Sequence, residues 1–373
     1  MISIPLAIYL LIGPLPWAML FVGTLLGRAR MGRLLNWHGK LPANPPQVTI
    51  LIPAKDEGIG IRACVESVLA QDYPSFDVIA IDDRSRDETG KILDEIAARD
   101  SRLQVMHIDT LPPGWLGKCN ALHVGAKQAS GEWLLLVDSD VTLAADALSS
   151  TISLALQRKY DALSILTRLD SRTFLERLML PLLAGAWAVM YTISWTNEDS
   201  RKKTAAANGQ FFLIRRSAYE AVGGHEAVKD RIAEDVELMR LLKARDFVTR
   251  FFMGAHLAST RMHGDPRQMF NSWARIYSGT SRRKPWRILA ASVFVIVAML
   301  SVYPALIWMS FAAAAHLVLM SAYLAMIYRL SGNQMRYALL APVAGVLMLG
   351  IFALSLRKCR SGRIVWRDTE FTS

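Results

Sequence analysis

The sequence predicts an α/β fold, with a mixed, mainly parallel sheet flanked by helices and transmembrane helices at both ends of the chain. Short apolar runs alternate with segments of helical periodicity from Val48 to about Arg245, which is typical of parallel βαβ units. Acidic residues follow several of these runs. Uncharged segments long enough to cross a bilayer lie near both ends.

The composition of the 373 residues indicates a membrane protein with a sizeable polar domain. Hydrophobic residues make up 52% and charged residues 20%, so the apolar surplus has to be localised. The net charge is +11, and the basic residues cluster beside apolar segments, which favours an anionic membrane face over nucleic acid. Cys64, Cys119 and Cys359 show no pairing or metal spacing, which is typical of structural thiols in a reducing compartment.

Residues 1–27 carry no charge and are predicted to form an N-terminal transmembrane anchor. They lack the basic start of a signal peptide, and the first positive residues follow the apolar run. This order predicts an N-terminus outside and residues 28–33 in the cytoplasm. Residues 28–46, basic and rich in proline and polar groups, are predicted to be a linker.

Strands and helices alternate through a domain predicted to span residues 47–265. The predicted strands are Val48–Ile52, Val78–Ile81, Leu103–His107, Trp133–Val137, Ala162–Leu166 and Phe211–Ile214. The predicted helices are Ile61–Ala70, Glu88–Ala98, Leu116–Ala129, Ala144–Arg158 and a last one from Glu234 to about Arg245. No GxGxxG follows the first strand, so the dinucleotide-binding fingerprint is absent.

The central strand of this pattern is Trp133–Val137, an unbroken apolar run typical of a strand buried on both faces. It ends at Asp138-Ser139-Asp140. Side chains two apart on an extended segment point the same way, so both carboxylates can converge at the carboxyl edge of the sheet. Oxygen ligands in this arrangement suit Mg²⁺ or Mn²⁺, which in turn can hold a diphosphate. The alternative is an acidic turn that caps the next helix.

Further charged residues fall at the same predicted edge. Glu57 follows the first strand and Asp83 the second, where their carboxylates could accept hydrogen bonds from a base and a ribose. Lys118 offers a compact positive charge to a phosphate, or is a surface lysine at a helix start.

Asp235 is the candidate general base, because an ionised carboxylate at a helix N-terminus can deprotonate a hydroxyl nucleophile. The alternative for Asp235 is a helix cap. His225 and His263 are candidates near an acceptor or a metal, or are loop histidines.

Apolar segments return after the predicted strands. Residues 174–195 are predicted to form an interfacial amphipathic helix, with a buried core helix as the alternative. An interfacial segment at 266–287 leads to transmembrane or re-entrant helices at 288–356 and a basic tail at 357–373. Four full spans that start outside would leave this tail outside, against the positive-inside rule. Either the first or the last apolar run is then re-entrant, or the chain is an exception to the rule.

Motifs at the strand and helix ends resemble those of a known family. Pro53–Glu57 (PAKDE), Asp82–Ser85 (DDRS), Asp138–Asp140 (DSD) and Glu234–Asp235 (ED), in this order, resemble glycosyltransferase family 2, which has the GT-A fold, over residues 45–260. Gly114–Leu122 (GWLGKCNAL), Gly209–Phe211 (GQF), Gly223–His225 (GGH) and Ser259–Met262 (STRM) more closely resemble hopanoid-biosynthesis-associated glycosyltransferases. Ceramide glucosyltransferases and carotenoid glycosyltransferases are similar but more distant.

The resemblance implies a membrane-bound inverting enzyme that transfers a sugar from a nucleotide-diphosphate sugar, with a UDP-sugar favoured, to a lipid. It implies a catalytic domain on the cytoplasmic face of a bacterial-type inner membrane, Mg²⁺ or Mn²⁺ at Asp138 and Asp140, and Asp235 as catalytic base. Nucleotide-sugar contacts are implied at Pro53, Ala54, Glu57, Asp83, Lys118 and Asp138. Acceptor-side positions are implied at Gln210, His225, Glu234, Trp273 and Arg275.

One motif departs from the family pattern. Related processive and sphingolipid enzymes carry Gln/Arg-x-x-Arg-Trp after the base, whereas this chain keeps Trp273 but has Ser272 in place of the arginine. Arg275 is a candidate replacement for the lost charge, and an interfacial anchor is the alternative for Trp273. Two other classes stay open: a non-catalytic, transferase-like lipid-binding scaffold, and a membrane-anchored signalling receiver whose acidic pocket binds Mg²⁺. The donor sugar and the lipid, whether hopanoid, other isoprenoid, sphingolipid-like or polyprenyl phosphate, are not predicted.

Overall fold

The computed structural model describes residues 4–31, 40–190, 195–261, 265–281, 284–360, 363–366 and 369–372. Part of the predicted linker and His263 lie outside these residues. The chain divides into two compact units. The sheet unit comprises Arg30–Asp170 and Trp195–Arg261, and the helical unit comprises Met1–Ala29, Ser171–Ser194 and Met262–Ser373.

The secondary structure follows the predicted alternation. The helices are α1 (Ile4–Ile12), α2 (Pro14–Met31), α3 (Ile61–Leu69), α4 (Thr89–Ala97), α5 (Gly117–Gln128), α6 (Ala147–Arg158), α7 (Phe174–Met190), α8 (Arg216–Ala221), α9 (Glu234–Ala244), α10 (Pro266–Thr280), α11 (Pro285–Phe294), α12 (Val302–Trp308), α13 (Ser310–Leu330) and α14 (Ala341–Arg360). The strands are β1 (Val48–Ala54), β2 (Phe76–Asp83), β3 (Leu103–Ile108), β4 (Trp133–Leu136), β5 (Val141–Leu143), β6 (Ala162–Leu166), β7 (Arg168–Leu169), β8 (Phe212–Arg215), β9 (Thr249–Met253), β10 (Ala258–Thr260), β11 (Arg363–Trp366) and β12 (Thr369–Thr372).

The sheet unit is built on a seven-stranded sheet in the order β3-β2-β1-β4-β8-β6-β9. β8 runs antiparallel to β4 and β6, and the other neighbouring pairs are parallel. The predicted mixed, mainly parallel sheet flanked by helices is therefore confirmed. The chain order reverses between β1 and β4, and a crevice at the carboxyl ends of such strands is where open α/β sheets bind ligands.

The central strands are buried on both faces, as their continuous apolar runs predict. In β1, Ile50 packs into the core on one face of the sheet and Leu51 into the core on the other. Leu135 and Leu134 divide in the same way in β4. Because both faces are covered, these strands hold the residues that follow them in fixed positions at the carboxyl edge.

Several short strands are absent from the sequence prediction. β5, β7 and β10 form a separate three-stranded sheet, in which Ser259 pairs with both Thr142 and Arg168. β9 extends the main sheet beside β6. Strands of two or three residues are too short to show a period of two, so these pairings arise from tertiary contacts.

The helical unit contains the predicted apolar segments. Ile4–Gly27, Phe311–Leu330 and Met335–Cys359 are each long and apolar enough to cross a membrane. The run Pro285–Leu300 is followed by Val302–Trp308 at a bend of 41°, as a broken span or a re-entrant loop. The bent run is the second along the chain, whereas the sequence offers the first and the last runs as candidate re-entrant segments, and which run is re-entrant stays a prediction.

Helix α7 packs within the helical unit. Its residues Leu178 and Leu183 are buried, and their backbone carbonyls accept hydrogen bonds from Tyr328 and Tyr277 at 2.7 Å each. Phe174, at its N-terminus, is exposed. The helix therefore has a partly buried face, and its position at a membrane interface stays a prediction.

Candidate active site

A narrow pocket opens at the carboxyl edge of the main sheet, beside the reversal between β1 and β4. Polar and apolar residues from six parts of the sheet unit line it: Pro53, Lys118, Leu122, Leu136, Val137, Asp138, Gly209, His225, Glu234 and Asp235. The fold thus brings together six of the predicted site residues, although they are up to 182 positions apart in the sequence.

The pocket is organised around the amino group of Lys118, in the first turn of α5. Lys118 Nζ lies 2.7 Å from Asp138 Oδ1 and 2.7 Å from Glu234 Oε1. Burial acts to lower the pKa of this lysine, but the carboxylates of Asp138, Glu234 and Asp235 outweigh it and hold the pKa well above its ordinary value. Lys118 is therefore a permanent cation between carboxylates, and not a solvated surface lysine.

Asp235 is held in place by two backbone amides. Its Oδ2 accepts a hydrogen bond from Gly209 N–H at 2.7 Å, and its Oδ1 accepts one from Val236 N–H at 2.7 Å. Burial and the neighbouring Glu234 raise the pKa of Asp235 to about 7, against the opposing effects of Lys118 and the two amides. A carboxylate with a pKa near neutrality is well matched to general-base catalysis.

Glycine at position 209 lies close to two charged side chains of the pocket. A Cβ atom there would lie 2.7 Å from Lys118 Nζ and 3.5 Å from Asp235 Oδ2. The predicted motif Gly209–Phe211 therefore has a steric role, since only glycine lets the backbone approach the two charged groups this closely.

His225 is almost fully buried, at 1% exposure, and lines the same pocket. Its Nδ1 lies 2.8 Å from the hydroxyl of Tyr219. Burial, together with the positive charge of Lys118, lowers its pKa to about 3, so the ring is neutral. Tyr219 could not be found from the sequence, because no local pattern marks a tyrosine of α8 as the partner of His225.

The residues predicted at the nucleoside lie at neighbouring strand ends. Asp83 forms a two-point ion pair with Arg84, at 2.7 and 2.9 Å. Its carboxylate packs against Gly117, where a Cβ atom would be 2.4 Å from Oδ2. Glu57 donates its backbone N–H to Thr89 Oγ1 at 2.8 Å. β1, β2 and β4 are parallel, so these strand ends share one edge, as predicted.

Two other predicted positions, Ala54 and Gln210, are buried. Ala54, the last residue of β1, belongs to the hydrophobic core. The side-chain oxygen of Gln210 contacts Thr167 Oγ1 and accepts a hydrogen bond from Asn208 Nδ2 at 3.1 Å. Gln210 therefore braces the loop before β8, and its acceptor-side role stays a prediction.

Trp273 and Arg275 lie on α10, in the helical unit. Trp273 is buried, and its ring centroid is 5.8 Å from that of Tyr277. A buried ring packed inside the helix bundle differs from an exposed anchor in the head-group region. The acceptor-side assignment of both residues stays a prediction.

Asp138 and Asp140 follow β4 as a pair of oxygen donors, with Ser139 between them. Among the residues that the structure describes, no three His, Cys, Asp or Glu side chains form a group that could hold a metal by themselves. Mg²⁺ and Mn²⁺ are commonly bound by one or two carboxylates together with substrate phosphates, so the donor set fits a shared site of this kind.

Comparisons with known proteins agree with this fold. Residues 49–223 match the family profile described as "Glycosyl transferase family 2". The 4,4'-diaponeurosporenoate glycosyltransferases of Staphylococcus aureus strains USA300 and MRSA252 are 26% and 27% identical to this chain over 254 residues. These alignments cover 67% of this chain and 66% of the relative, which is just under two thirds of the relative's length.

A solved structure has a similar fold. The mannosyltransferase from Pyrobaculum calidifontis, in complex with GDP-Man and Mn²⁺, has a TM-score of 0.56 at 20% identity and covers 89% of this chain and 97% of its own. At this identity the similarity establishes the fold alone. The chain therefore has a mixed α/β, GT-A-like fold, and its residues 49–223 are similar to glycosyl transferase family 2.

Proposed function

We propose that this protein is a membrane-bound inverting glycosyltransferase that moves a sugar from a nucleotide-diphosphate sugar to a lipid at the cytoplasmic face of the membrane. One observation carries the proposal: Asp235, held by two backbone amides, shares a pocket with Lys118 and Asp138 at the carboxyl edge of the sheet. A base, a cation and a candidate metal ligand thus converge where open α/β sheets bind ligands.

In the proposed reaction, the hydroxyl oxygen of the acceptor attacks the anomeric carbon of the donor sugar. Asp235 accepts the hydroxyl proton as the new carbon–oxygen bond forms. The bond from the anomeric carbon to the diphosphate breaks on the opposite side, and its electron pair leaves with the diphosphate. Lys118 supplies a fixed positive charge beside the pocket, which favours the charge that develops on the leaving group. A single displacement of this kind inverts the anomeric configuration.

Asp138 and Asp140 would hold the divalent ion. When bound, Mg²⁺ or Mn²⁺ would neutralise the diphosphate as a Lewis acid. Lys118 pairs with the Oδ1 atom of Asp138. A metal ion bound by this carboxylate would therefore compete with the lysine for it. We infer that Lys118 keeps the carboxylates paired until donor and metal arrive.

A lipid acceptor is supported by the apolar segments that flank the glycosyltransferase domain and by the S. aureus relatives, which are named for a lipid-like acceptor. A hopanoid is the acceptor that the motifs Gly114–Leu122 and Gly223–His225 suggest, and another isoprenoid is the next choice. The alternative, a non-catalytic lipid-binding scaffold, predicts loss of the base or the metal pair. Asp138, Asp140 and Asp235 are all present, which favours the enzyme.

The bent run at Pro285–Trp308 offers a solution to the topology conflict. If this run is re-entrant, three spans cross the membrane, and an outside N-terminus then leaves the basic tail at 357–373 in the cytoplasm, as the positive-inside rule expects. Single-cysteine labelling near each terminus in intact cells tests this arrangement. A tail that reacts with an impermeant reagent from outside would contradict three spans.

The experiment that tests the proposed function measures donor binding and transfer together. The detergent-solubilised full chain is titrated with UDP, GDP and their sugars with and without Mn²⁺, and sugar transfer to lipid extracts is then assayed with the nucleotide sugar that binds. Asp140→Ala is expected to abolish metal-dependent binding. Glu132→Ala is the matched control, because Glu132 is an exposed carboxylate at the opposite end of the same strand, paired with Arg215 at 3.0 Å.

Metal-dependent binding of one nucleotide sugar by the wild type and Glu132→Ala, lost in Asp140→Ala, supports the donor site. Binding without any transfer to lipid favours the scaffold. A folded wild type that binds no nucleotide sugar under any of these conditions overturns the proposal.

A further inference from the structure

His225 has a hydrogen-bonding atom that the protein itself leaves unsatisfied. The ring is 1% exposed, and its Nε2 has no hydrogen-bond partner among the described residues. A buried polar atom without a partner lowers the stability of the folded protein. Such a group in a native pocket calls for an explanation, and a bound ligand is a common one.

The contacts of Tyr219 determine which ring nitrogen carries the hydrogen. The hydroxyl oxygen of Tyr219 accepts a hydrogen bond from the backbone N–H of His225 at 3.0 Å. Among the described residues, His225 Nδ1, at 2.8 Å, is the one acceptor for the hydrogen of this buried hydroxyl, so we assign Nδ1 as the acceptor. In a neutral imidazole the hydrogen then sits on Nε2, so the unsatisfied atom is an N–H donor.

The backbone before His225 holds this arrangement rigidly. Gly223 and Gly224 have φ angles of +86° and +52°, the left-handed region that glycine adopts without strain. A Cβ atom at Gly224 would lie only 2.5 Å from the ring of Tyr219. The two glycines thus let the tyrosine approach close enough to bind both the backbone and the ring of His225.

The Nε2 edge is the one that remains for the pocket. His225 lines the same pocket as Lys118 and Asp235, and its Nδ1 edge is turned to Tyr219. Burial keeps the ring uncharged, so it is unsuited to act as a second cation beside Lys118. The pocket therefore offers a ligand one fixed cation and one neutral N–H donor.

We propose that His225 Nε2–H donates a hydrogen bond to an oxygen in the sugar–diphosphate part of the donor substrate and so positions it against Lys118 and Asp235. This inference rests on the proposed function, because it takes the pocket to be the donor site. It assigns His225 to the donor, whereas the sequence motifs placed it on the acceptor side. Tyr219 is a positioning residue, which fixes the tautomer and orientation of the ring.

The test compares three histidine variants of the full chain in detergent, using the nucleotide sugar that the wild type binds and the matching nucleoside diphosphate. His225→Leu removes the donor, whereas His225→Gln keeps an N–H group at a similar reach. His256→Gln is the control, because His256 is an exposed histidine of the same unit that does not line the pocket. Calorimetry gives the Kd, and thermal unfolding checks that each variant is folded.

His225→Leu is expected to raise the Kd of the nucleotide sugar about 10- to 100-fold, as for loss of a hydrogen bond to a charged or polar group. His225→Gln is expected to stay within about threefold of the wild type, a rescue that lost packing alone would not give. Weakening that extends to the nucleoside diphosphate identifies a phosphate oxygen as the acceptor of the bond. Weakening confined to the nucleotide sugar identifies a sugar hydroxyl.

An unchanged Kd in folded His225→Leu overturns the inference, as does an equal loss in the leucine and glutamine variants together with a lower melting temperature. A change confined to the KM of the lipid acceptor also overturns it. In each of these cases the wild type and His256→Gln still bind the donor, so the proposed function stands. If the wild type binds no nucleotide sugar, the proposed function itself fails.

Discussion

Gly209 donates its backbone N–H to Asp235 Oδ2 at 2.7 Å, which joins the loop before β8 to the N-terminus of α9. The two residues are 26 positions apart in the sequence, and the hydrogen bond fixes the orientation of the candidate base. A Cβ at position 209 would also lie 2.7 Å from Lys118 Nζ, so the same glycine lies beside both the candidate base and the cation. The loop conformation and the chemistry of the site are therefore coupled.

The pKa of Asp235, raised to about 7 by burial and by Glu234, predicts the pH dependence of the reaction. A general base works when deprotonated, so kcat/KM should rise with pH through about 7 and then level off. Asp235→Asn is expected to abolish this rise of kcat/KM with pH and to lower the rate of transfer roughly 10²- to 10⁴-fold. The measurement is the pH–rate profile of sugar transfer. Glu237→Gln is the control, because Glu237 also lies in the first turn of α9 but pairs with Arg240 and does not line the pocket. A profile that keeps its acidic limb in Asp235→Asn would assign the base elsewhere.

Lys118 should stabilise the fold as well as serve the reaction. Asp138 and Glu234 each lie 2.7 Å from its amino group, and the side chain of Glu234 is only 9% exposed. Lys118→Met leaves these carboxylates without their cation, so we expect a loss of about 3 kcal/mol, the lower end for a broken buried ion pair. Thermal unfolding measures the loss, and Lys127→Met, an exposed lysine on the same helix, is the control.

A double change tests the cause of this loss. If it reflects uncompensated charge, Lys118→Met combined with Glu234→Gln should be more stable than Lys118→Met alone, because one of the unpaired carboxylates is gone. Equal stability of the two variants would mean that the lysine acts mainly through packing of its aliphatic chain.

The sequence could predict the charged centre because each of its members directly follows a strand or opens a helix. Asp138 follows an apolar run, and Lys118 and Asp235 lie in first helical turns, so the rhythm of the elements alone places them at one edge. The pairing of Lys118 with two carboxylates could not be predicted, since it depends on how α5 and α9 approach each other. The same holds for Tyr219 and His225, whose link rests on two positive φ angles.

The bend between α11 and α12 shows another limit of sequence patterns. Hydropathy predicts one continuous apolar run, but the helix turns by 41° near Ser301. Pro304 follows shortly after, and its missing N–H leaves the carbonyl of Leu300 without its usual helical partner. The preceding turn, Val295–Leu300, is a π-helix, which is common where helices bend. Hydropathy averages cannot show this, because they ignore the backbone hydrogen bonds.

His107 is expected to make a small, pH-dependent contribution to the stability of the sheet unit. Its ring contacts Asp82 Oδ2 at 3.0 Å and Asp94 Oδ1 at 3.1 Å, and the Asp82 contact in particular raises its pKa above the ordinary value. With a raised pKa in the folded state, the stabilisation is complete below the unfolded pKa of about 6.5 and is lost as pH rises through the folded pKa.

His107→Gln is therefore expected to lower stability at pH 5.5 by up to about 1 kcal/mol, because the pair is partly exposed, and to have little effect at pH 9. Melting temperatures at the two pH values measure the difference, with the exposed His256→Gln as the control. An equal loss of stability at both pH values would show that neutral hydrogen bonds, and not the charge of His107, connect β3 to β2 and α4.

A polar cluster in the helical unit leads to the last prediction. His316 on α13 is fully buried, with Nδ1 2.8 Å from the Tyr9 hydroxyl and Nε2 2.9 Å from the carbonyl oxygen of Ala298, which also accepts from Trp17 Nε1. Ala298 lies in the π-helix, so these side chains tie the N-terminal helices to the irregular segment. His316→Leu should cost about 1 kcal/mol, as for hydrogen bonds between membrane helices.

Gly13 makes a second test of this cluster possible. A Cβ there would lie 2.8 Å from His316 Nδ1, so Gly13→Ala should displace the ring and disturb the same hydrogen bonds. Because both changes act on one contact, their effects on the melting temperature in detergent should be less than additive. Val318→Leu, at an exposed position of α13, is the control. Strictly additive losses would mean that Gly13 and His316 act independently, and that the cluster is not what holds the N-terminal helices to the π-helix.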